Sequence, residues 1–276
     1  MSISNQSRTI TKAVIPAAGK GTRLLPLTKA VPKELIPLGT KPVLEHIVEE
    51  VIQCGITEAL LVISEEKTAI RAHFGDGIGG VRFEYAFQAE QRGLADAIRC
   101  GKEFAAGEPF AVVLGDSVID TNQPTLPFAR VLDTYRDTNA AAVIIVQKTP
   151  RDEVSRYGIV KPKRALRQAQ DDMEAQDGMG PSFEIDGLVE KPTPEDAPSQ
   201  YAIAGRYAFD PVVFDYIDRT PHGANGEYQI TDSIALMLGD GRQVWCVALG
   251  ENEIRRDIGT FASYFEALRI EMDKYA

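Results

Sequence analysis

The residues best suited to chemistry crowd into one stretch, Lys12 to Pro42, which reads KAVIPAAGKGTRLLPLTKAVPKELIPLGTKP. Gly19 and Gly21 carry no Cβ, so the backbone there can come close to a ligand and turn successive N–H groups toward an anion. Arg23 and Lys33 add fixed positive charge in the same span. Small residues, available amides and a pair of cations are what a polyphosphate requires. Two familiar phosphate loops are excluded by spacing. The Walker pattern needs a Gly where Val14 stands, and the dinucleotide fingerprint needs a third Gly where Leu24 stands.

The elements that must position these residues follow from local pattern. Ala13-Val14-Ile15 is a short branched apolar run that suits a buried strand, broken at Pro16-Ala17-Ala18-Gly19. Val43 to Cys54 has helical spacing with Gly55 as its stop, and Ala59 to Ile63 reads as a second buried strand, which together make a βαβ unit. A short helix over 67–74 and an alternating strand over 81–87 come next, and then Gln88 to Ala97, where Gly93 opens another helix. Pro109 to Leu114 reads as a central strand that delivers Gly115-Asp116 at its carboxyl end, where ligands sit in open α/β sheets. A carboxylate there is placed to hold a metal, so Asp116 is a candidate ligand. A helix over 126–138 and a strand over 141–147 continue the alternation.

Beyond residue 150 the pattern changes. Tyr157 to Val160 and Phe183 to Glu190 read as strands joined by a polar stretch, 161–181, expected to be a loop of no catalytic consequence. A strand over 244–249 and an amphipathic helix over 261–272 close the chain. His46 and His73 lie on helical segments and are expected to have no functional role.

The pattern G-x-G-T-R-x-x-P-x-T-x-x-x-P-K, carried by Gly19, Gly21, Thr22, Arg23, Pro26, Thr28, Pro32 and Lys33, resembles the signature of the sugar-1-phosphate nucleotidyltransferases. The fuller string AVIPAAGKGTRLLPLTKAVPKELIPL is similar to the bacterial UTP–glucose-1-phosphate uridylyltransferases, a resemblance that GEYQITD (226–232) extends. It implies an α/β fold with a Rossmann-like mixed, mostly parallel sheet, helices on both faces and a small β-rich sugar-binding part. It implies that Ala17, Ala18, Gly19, Gly21, Thr22 and Asp116 bind nucleotide, with Gln88 and Gly93 reading the uracil. Glu190-Lys191-Pro192, Tyr157-Gly158 and Ala204-Gly205-Arg206-Tyr207 resemble the family's sugar-pocket segments, which implicates Gly158, Glu190, Lys191 and Gly205. Arg256-Asp257-Ile258-Gly259-Thr260 resembles the second metal segment, so Asp257 joins Asp116 in holding Mg²⁺. The family often has a second acid beside the first Asp, and Ser117 stands there instead.

The expected reaction is UTP plus α-D-glucose 1-phosphate giving UDP-glucose and pyrophosphate. Arg23 would hold the departing pyrophosphate, Lys33 the α-phosphate and Lys191 the sugar phosphate. A thymidylyl or other sugar nucleotidyltransferase is the nearest alternative. A catalytically silent nucleotide-sugar-binding regulator is the alternative from another class. The remaining partners expected are copies of the same chain, as a dimer or tetramer. Thr231 and Asp232 are equally readable as caps for the helix that follows them.

Composition bounds these readings. A net charge of −10 over 276 residues argues against a nucleic-acid surface, so an anionic substrate must be met by a local basic pocket. Cys54, Cys100 and Cys246 are odd in number and far apart, which suggests buried thiols rather than disulfides or zinc. No apolar run reaches the ~20 residues of a membrane span, and Met1 to Thr11 lacks the apolar segment of a secretory signal, so no membrane partner and a cytoplasmic location are expected. Residues 1–9 are expected to form a flexible tail. A single nucleotidyltransferase domain is expected over 10–276, with a nucleotide-binding half over about 10–150 and a sugar-binding half over about 151–276.

Overall fold

A strand buried on both faces forms only from a continuous apolar run, and Ala13, Val14 and Ile15 are all fully buried in β1 (Lys12–Pro16). The computed structural model describes residues 8–163, 180–223 and 226–274. After β1 come the short pair β2 (Pro37–Leu38) and β3 (Lys41–Pro42), then α1 (Val43–Gln53), β4 (Glu58–Ile63), α2 (Thr68–Phe74), β5 (Gly77–Ile78) and β6 (Val81–Phe87). Next are α3 (Leu94–Arg99), α4 (Lys102–Ala105), β7 (Phe110–Val113), β8 (Ser117–Asp120), α5 (Pro127–Asp137) and β9 (Ala142–Lys148). The later part holds β10 (Gly158–Pro162), β11 (Ser182–Glu190), β12 (Tyr201–Phe209), α6 (Val213–Arg219), α7 (Ile230–Gly239), β13 (Val244–Ala248), β14 (Ile254–Asp257) and α8 (Phe261–Asp273).

Ten strands form one sheet in the order β10-β11-β13-β9-β12-β7-β1-β4-β6-β5. The family resemblance implies a mixed, mostly parallel sheet; the sheet is mixed, but parallel pairs do not predominate in it. β7, β1, β4 and β6 run parallel to one another, as do β13 and β9. β12 is antiparallel to both β7 and β9, β11 to both β10 and β13, and β5 to β6. Part of the reason lies in the connections. Parallel neighbours need a long crossover, usually helical, and the link from β5 to β6 is only Gly79-Gly80, which forces an antiparallel pair.

Alternation along β1 divides the interior. Ala13 and Ile15 join a core with Ile47 and Val51 of α1 and Val131 of α5, while Val14 joins a second core with Ala95 and Ile98 of α3 and Ile234 of α7. Apart from the main sheet, β8 and β14 form an antiparallel two-stranded ribbon that sets Asp257 opposite Ser117. Thr260 caps α8 through a reciprocal box with Ser263.

Residues 1–7 of the expected tail and 164–179 of the polar stretch lie outside the described residues. Arg8 is held: its guanidinium donates to the carbonyls of Tyr135 and Ala140 at 3.0 and 2.6 Å. All three cysteines are free thiols, but only Cys246 is fully buried. Cys54 and Cys100 are half-buried, because each stands at the C-terminal end of its helix.

Candidate active site

The loop after β1 is shaped by contacts that leave no room for side chains. Gly21 has a φ of 63°, and a Cβ there would lie 3.0 Å from Thr28 Cγ2 and 3.3 Å from Lys33 Cβ. A Cβ on Gly19 would meet Lys33 Nζ at 3.3 Å, so the Lys33 side chain passes directly across the glycine pair. The spacing from Gly19 to Lys33 follows from that crossing.

Behind the loop stands a buried ion pair with no signature in the sequence. Lys67, the residue before α2, donates from Nζ to both carboxylate oxygens of Glu34 at 2.8 and 2.7 Å, and to the carbonyls of Ala17 and Gly19 at 2.7 and 2.6 Å. In a trans peptide the N–H points opposite to the C=O, so drawing these carbonyls back turns the N–H groups of Ala18 and Lys20 away from Lys67. Burial pushes the Glu34 carboxyl up and the Lys67 ammonium down, and their mutual attraction opposes both shifts.

The loop borders a cavity of about 530 Å³. Ala18, Gly19, Gly21, Thr22, Arg23 and Lys33 line it from the loop, Gln88 and Gly93 from the segment after β6, and Asp116 from the end of β7. Ala17 lies behind this wall, fully buried and bonded through its carbonyl to Lys67. Gly93 has a φ of 106°, and a Cβ there would lie 2.5 Å from the Tyr228 carbonyl oxygen, so no side chain fits at this position.

The charged residues meet at the ends of β7 and β14. Lys33 is ion-paired with Asp116. Burial alone would lower the Lys33 pKa, but Asp116, Glu34 and Asp257 outweigh it and hold the ammonium charged. Burial likewise disfavours the Asp116 carboxylate, and Lys33 overrides it, bringing that pKa below the ordinary value. Asp257 is pushed up, first by burial and then by the like charge of Asp116. The ribbon causes this proximity: Ile258 N–H donates to the Asp116 carbonyl at 3.0 Å. Arg23 converges on the same spot, because a Cβ on Gly259 would lie 3.0 Å from Arg23 Nη2 and 3.3 Å from Asp257 Oδ2.

Hard carboxylate oxygens from two neighbouring aspartates suit a divalent cation. Among the described residues no group of three His, Cys, Asp or Glu side chains is arranged to hold a metal. The donor set that the ribbon brings together is the pair Asp116 and Asp257, whose chemistry fits a divalent cation.

The residues expected on the sugar side form a neighbouring group. Glu190 accepts from Thr231 Oγ1 at 2.9 Å, and a Cβ on Gly158 would lie 2.6 Å from Thr231 Cγ2 and 3.1 Å from Glu190 Oε2. Thr231 thus ties α7 to Glu190, a task beyond the capping role open to it in the sequence. Lys191 lies next to Glu190 with a φ of 46°, its Nζ 3.3 Å from Glu190 Oε1 and its side chain 52% exposed. Gly205, with a φ of 78°, lies in the sheet against Leu114, which itself lines the cavity. Arg206 turns away to Glu50 of α1 and donates to the Ser117 carbonyl at 2.7 Å, which anchors β8 beside Asp116.

Arg255 went unread in the sequence. It lies two residues before Asp257 on the same face of β14, lies over the Tyr157 ring at 4.7 Å, donates to the Ile203 carbonyl and comes within 4.0 Å of Asp257. His46 bonds the Leu38 carbonyl and His73 pairs with Glu45, both outside the cavity lining.

The chain as a whole has counterparts among known proteins. The nucleotidyl transferase family model matches residues 12–274. The UTP–glucose-1-phosphate uridylyltransferase of Streptococcus pneumoniae is 38% identical over 248 residues, covering 82% of this chain and 79% of that protein. A UDP-glucose pyrophosphorylase solved with UDP-glucose superposes with a TM-score of 0.84 at 29% identity, covering 96% of this chain and 99% of the other. The UTP-bound enzyme from Acinetobacter baumannii gives 0.82 at 28%, covering 95% and 93%. With the family match running from β1 to the last helix, and relatives alike in sequence and fold over nearly the same span, the chain belongs to the nucleotidyl transferase family.

Proposed function

We propose that this chain transfers the uridylyl group of UTP to α-D-glucose 1-phosphate, giving UDP-glucose and pyrophosphate. The observation that carries the reading is the convergence in one cavity of the glycine loop, Arg23, Lys33, Gln88 and Asp116, in a chain whose relatives bear that enzyme name. The sugar phosphate is already a competent nucleophile, so no general base is required. One of its oxygens attacks the α-phosphorus as the bond to the β-phosphate oxygen breaks, and pyrophosphate leaves with that electron pair. The obstacle is repulsion between anions, which the site must offset with positive charge and in-line positioning.

Arg23 is assigned to the departing pyrophosphate, Lys33 to the α-phosphate and Lys191 to the sugar phosphate. The N–H groups of Ala18 and Lys20, turned away from Lys67, are available to the nucleotide phosphates, and Gln88 and Gly93 to the base. Glu190, with Gly158 beside it, is assigned to sugar hydroxyls. Asp116 and Asp257 are assigned to a divalent metal, Mg²⁺, which when bound would neutralise phosphate charge at the site of attack. Arg255 stands between this pair and Tyr157, where it adds positive potential on the sugar side.

The test is a matrix of nucleoside triphosphates against hexose 1-phosphates, followed by pyrophosphate release. UTP with glucose 1-phosphate should give the highest kcat/KM. A maximum with dTTP would favour thymidylyl transfer, and binding of UDP-glucose without pyrophosphate release would favour a silent regulator. A cytoplasmic location and a homo-oligomer belong to the same reading, the latter checked by sedimentation.

A further inference from the structure

Gln88 follows β6, is 5% exposed and lines the cavity. Its Nε2 donates to Asp96 Oδ2 at 2.8 Å and to the Gly93 carbonyl at 3.4 Å. A side-chain amide nitrogen has two N–H donors, so both are spent on the protein and Oε1 is the group left for a ligand. Asp96 is 4% exposed, and its other oxygen accepts from Arg99 Nη2 at 2.6 Å and Arg92 Nη2 at 3.1 Å. An ionised carboxylate can only accept, so Gln88 cannot bind it the other way round. The two-fold ambiguity of an amide is removed at this one position.

We propose that Asp96 is a specificity-positioning residue. It holds the Gln88 amide with Oε1 toward the nucleotide base, selecting a base that presents a ring N–H donor there, as uracil does, over cytosine, which presents an acceptor nitrogen. The proposal rests on the uridylyl-transfer reading and adds to it the group that sets the polarity of the base contact. An acid in the first turn of a six-residue helix otherwise reads only as a favourable partner of the helix dipole.

Asp96→Asn makes the case testable because it reverses the polarity rather than deleting it. The new side chain keeps a single oxygen, which the two guanidiniums require, and turns its amide nitrogen toward Gln88. Gln88 then accepts, its amide rotates at the cost of the long 3.4 Å contact to the Gly93 carbonyl, and Nε2 faces the base. The ratio of kcat/KM for UTP to that for CTP should fall by ~10-fold or more, the scale of one mismatched buried polar group, with KM for glucose 1-phosphate unchanged. Gln88→Glu combined with Asp96→Asn presents an acceptor to the base again and should recover the preference for UTP. If Asp96→Asn proves insoluble, Asp96→Ser removes the fixed acceptor in a smaller side chain and should also lower the ratio. A wild-type ratio in either soluble variant, even with a lowered Tm, overturns the proposal and leaves the uridylyl reading standing. A wild-type enzyme that uses UTP and CTP equally overturns the base reading itself.

Discussion

Lys191 holds a backbone angle that a lysine has no intrinsic reason to adopt, with φ at 46° beside the acid that binds Thr231. The left-handed region costs a residue with a Cβ ~1–2 kcal/mol. Lys191→Gly and Lys191→Ala both remove the cation, yet only Gly relieves the backbone, so Gly should be more stable than Ala by ~1 kcal/mol in urea unfolding. Both should lose ~10²–10³ in rate, as for removal of a preorganised charge, seen mainly when glucose 1-phosphate is the varied substrate. An effect confined to UTP would move Lys191 to the nucleotide. For the aspartates, Asp116→Ala and Asp257→Ala should each nearly abolish turnover at saturating Mg²⁺, and the double variant should be little worse, because groups that act as a unit are not additive. Near wild-type turnover in either single variant would remove that residue from the metal site.

At the scale of elements, the glycine loop owes its shape to what stands behind it. Breaking a buried pair leaves one charge uncompensated and typically costs ~3–5 kcal/mol, whereas replacing both members is often neutral. Lys67→Met should therefore lower Tm and weaken UTP binding together. Lys67→Met with Glu34→Leu should recover most of the Tm but not the UTP affinity, since the carbonyls of Ala17 and Gly19 still lack their donor. Recovery of both in calorimetry and UTP titration would reduce the pair to a structural role. This also marks how far the sequence could be read. Gly19, Gly21, Arg23 and Lys33 stand within one short string and announce a phosphate loop, and β1, β7 and α1 follow from apolar periodicity. Lys67 meets Glu34 only after a helix and three strands intervene, and Asp96 meets Gln88 through a side chain whose spacing carries no periodic signal. The β8–β14 ribbon was equally hidden: short runs such as Ser117–Asp120 and Ile254–Asp257 have no pattern until each finds the other.

At the scale of the molecule, β12 comes from the later part of the chain and pairs with β7 and β9 of the earlier part, so residues before and after 150 share one continuous sheet. The halves share both cores, since Val112 and Ile203 lie in one and Ile15 and Val247 in the other. Calorimetry should accordingly give a single unfolding transition. UTP at ~100 times its Kd should raise the whole transition by the equivalent of ~2.7 kcal/mol, because a ligand that binds only the folded state stabilises all of it. Two separable transitions, only one of them responding to UTP, would show that the halves are independent.

β13 (Val244–Ala248) lies between β9 and β11, both of which precede it in the chain. A ribosome delivers the strands in the opposite order: β9 and the β10–β11 pair emerge while the strand that belongs between β9 and β11 is still unmade. The nascent protein must keep that slot open, or vacate it, until residue 248 has left the exit tunnel. Chains stalled before residue 244 should consequently be cleaved readily by protease within β9, β11 and β12, and chains released beyond it should become resistant there in a single late step.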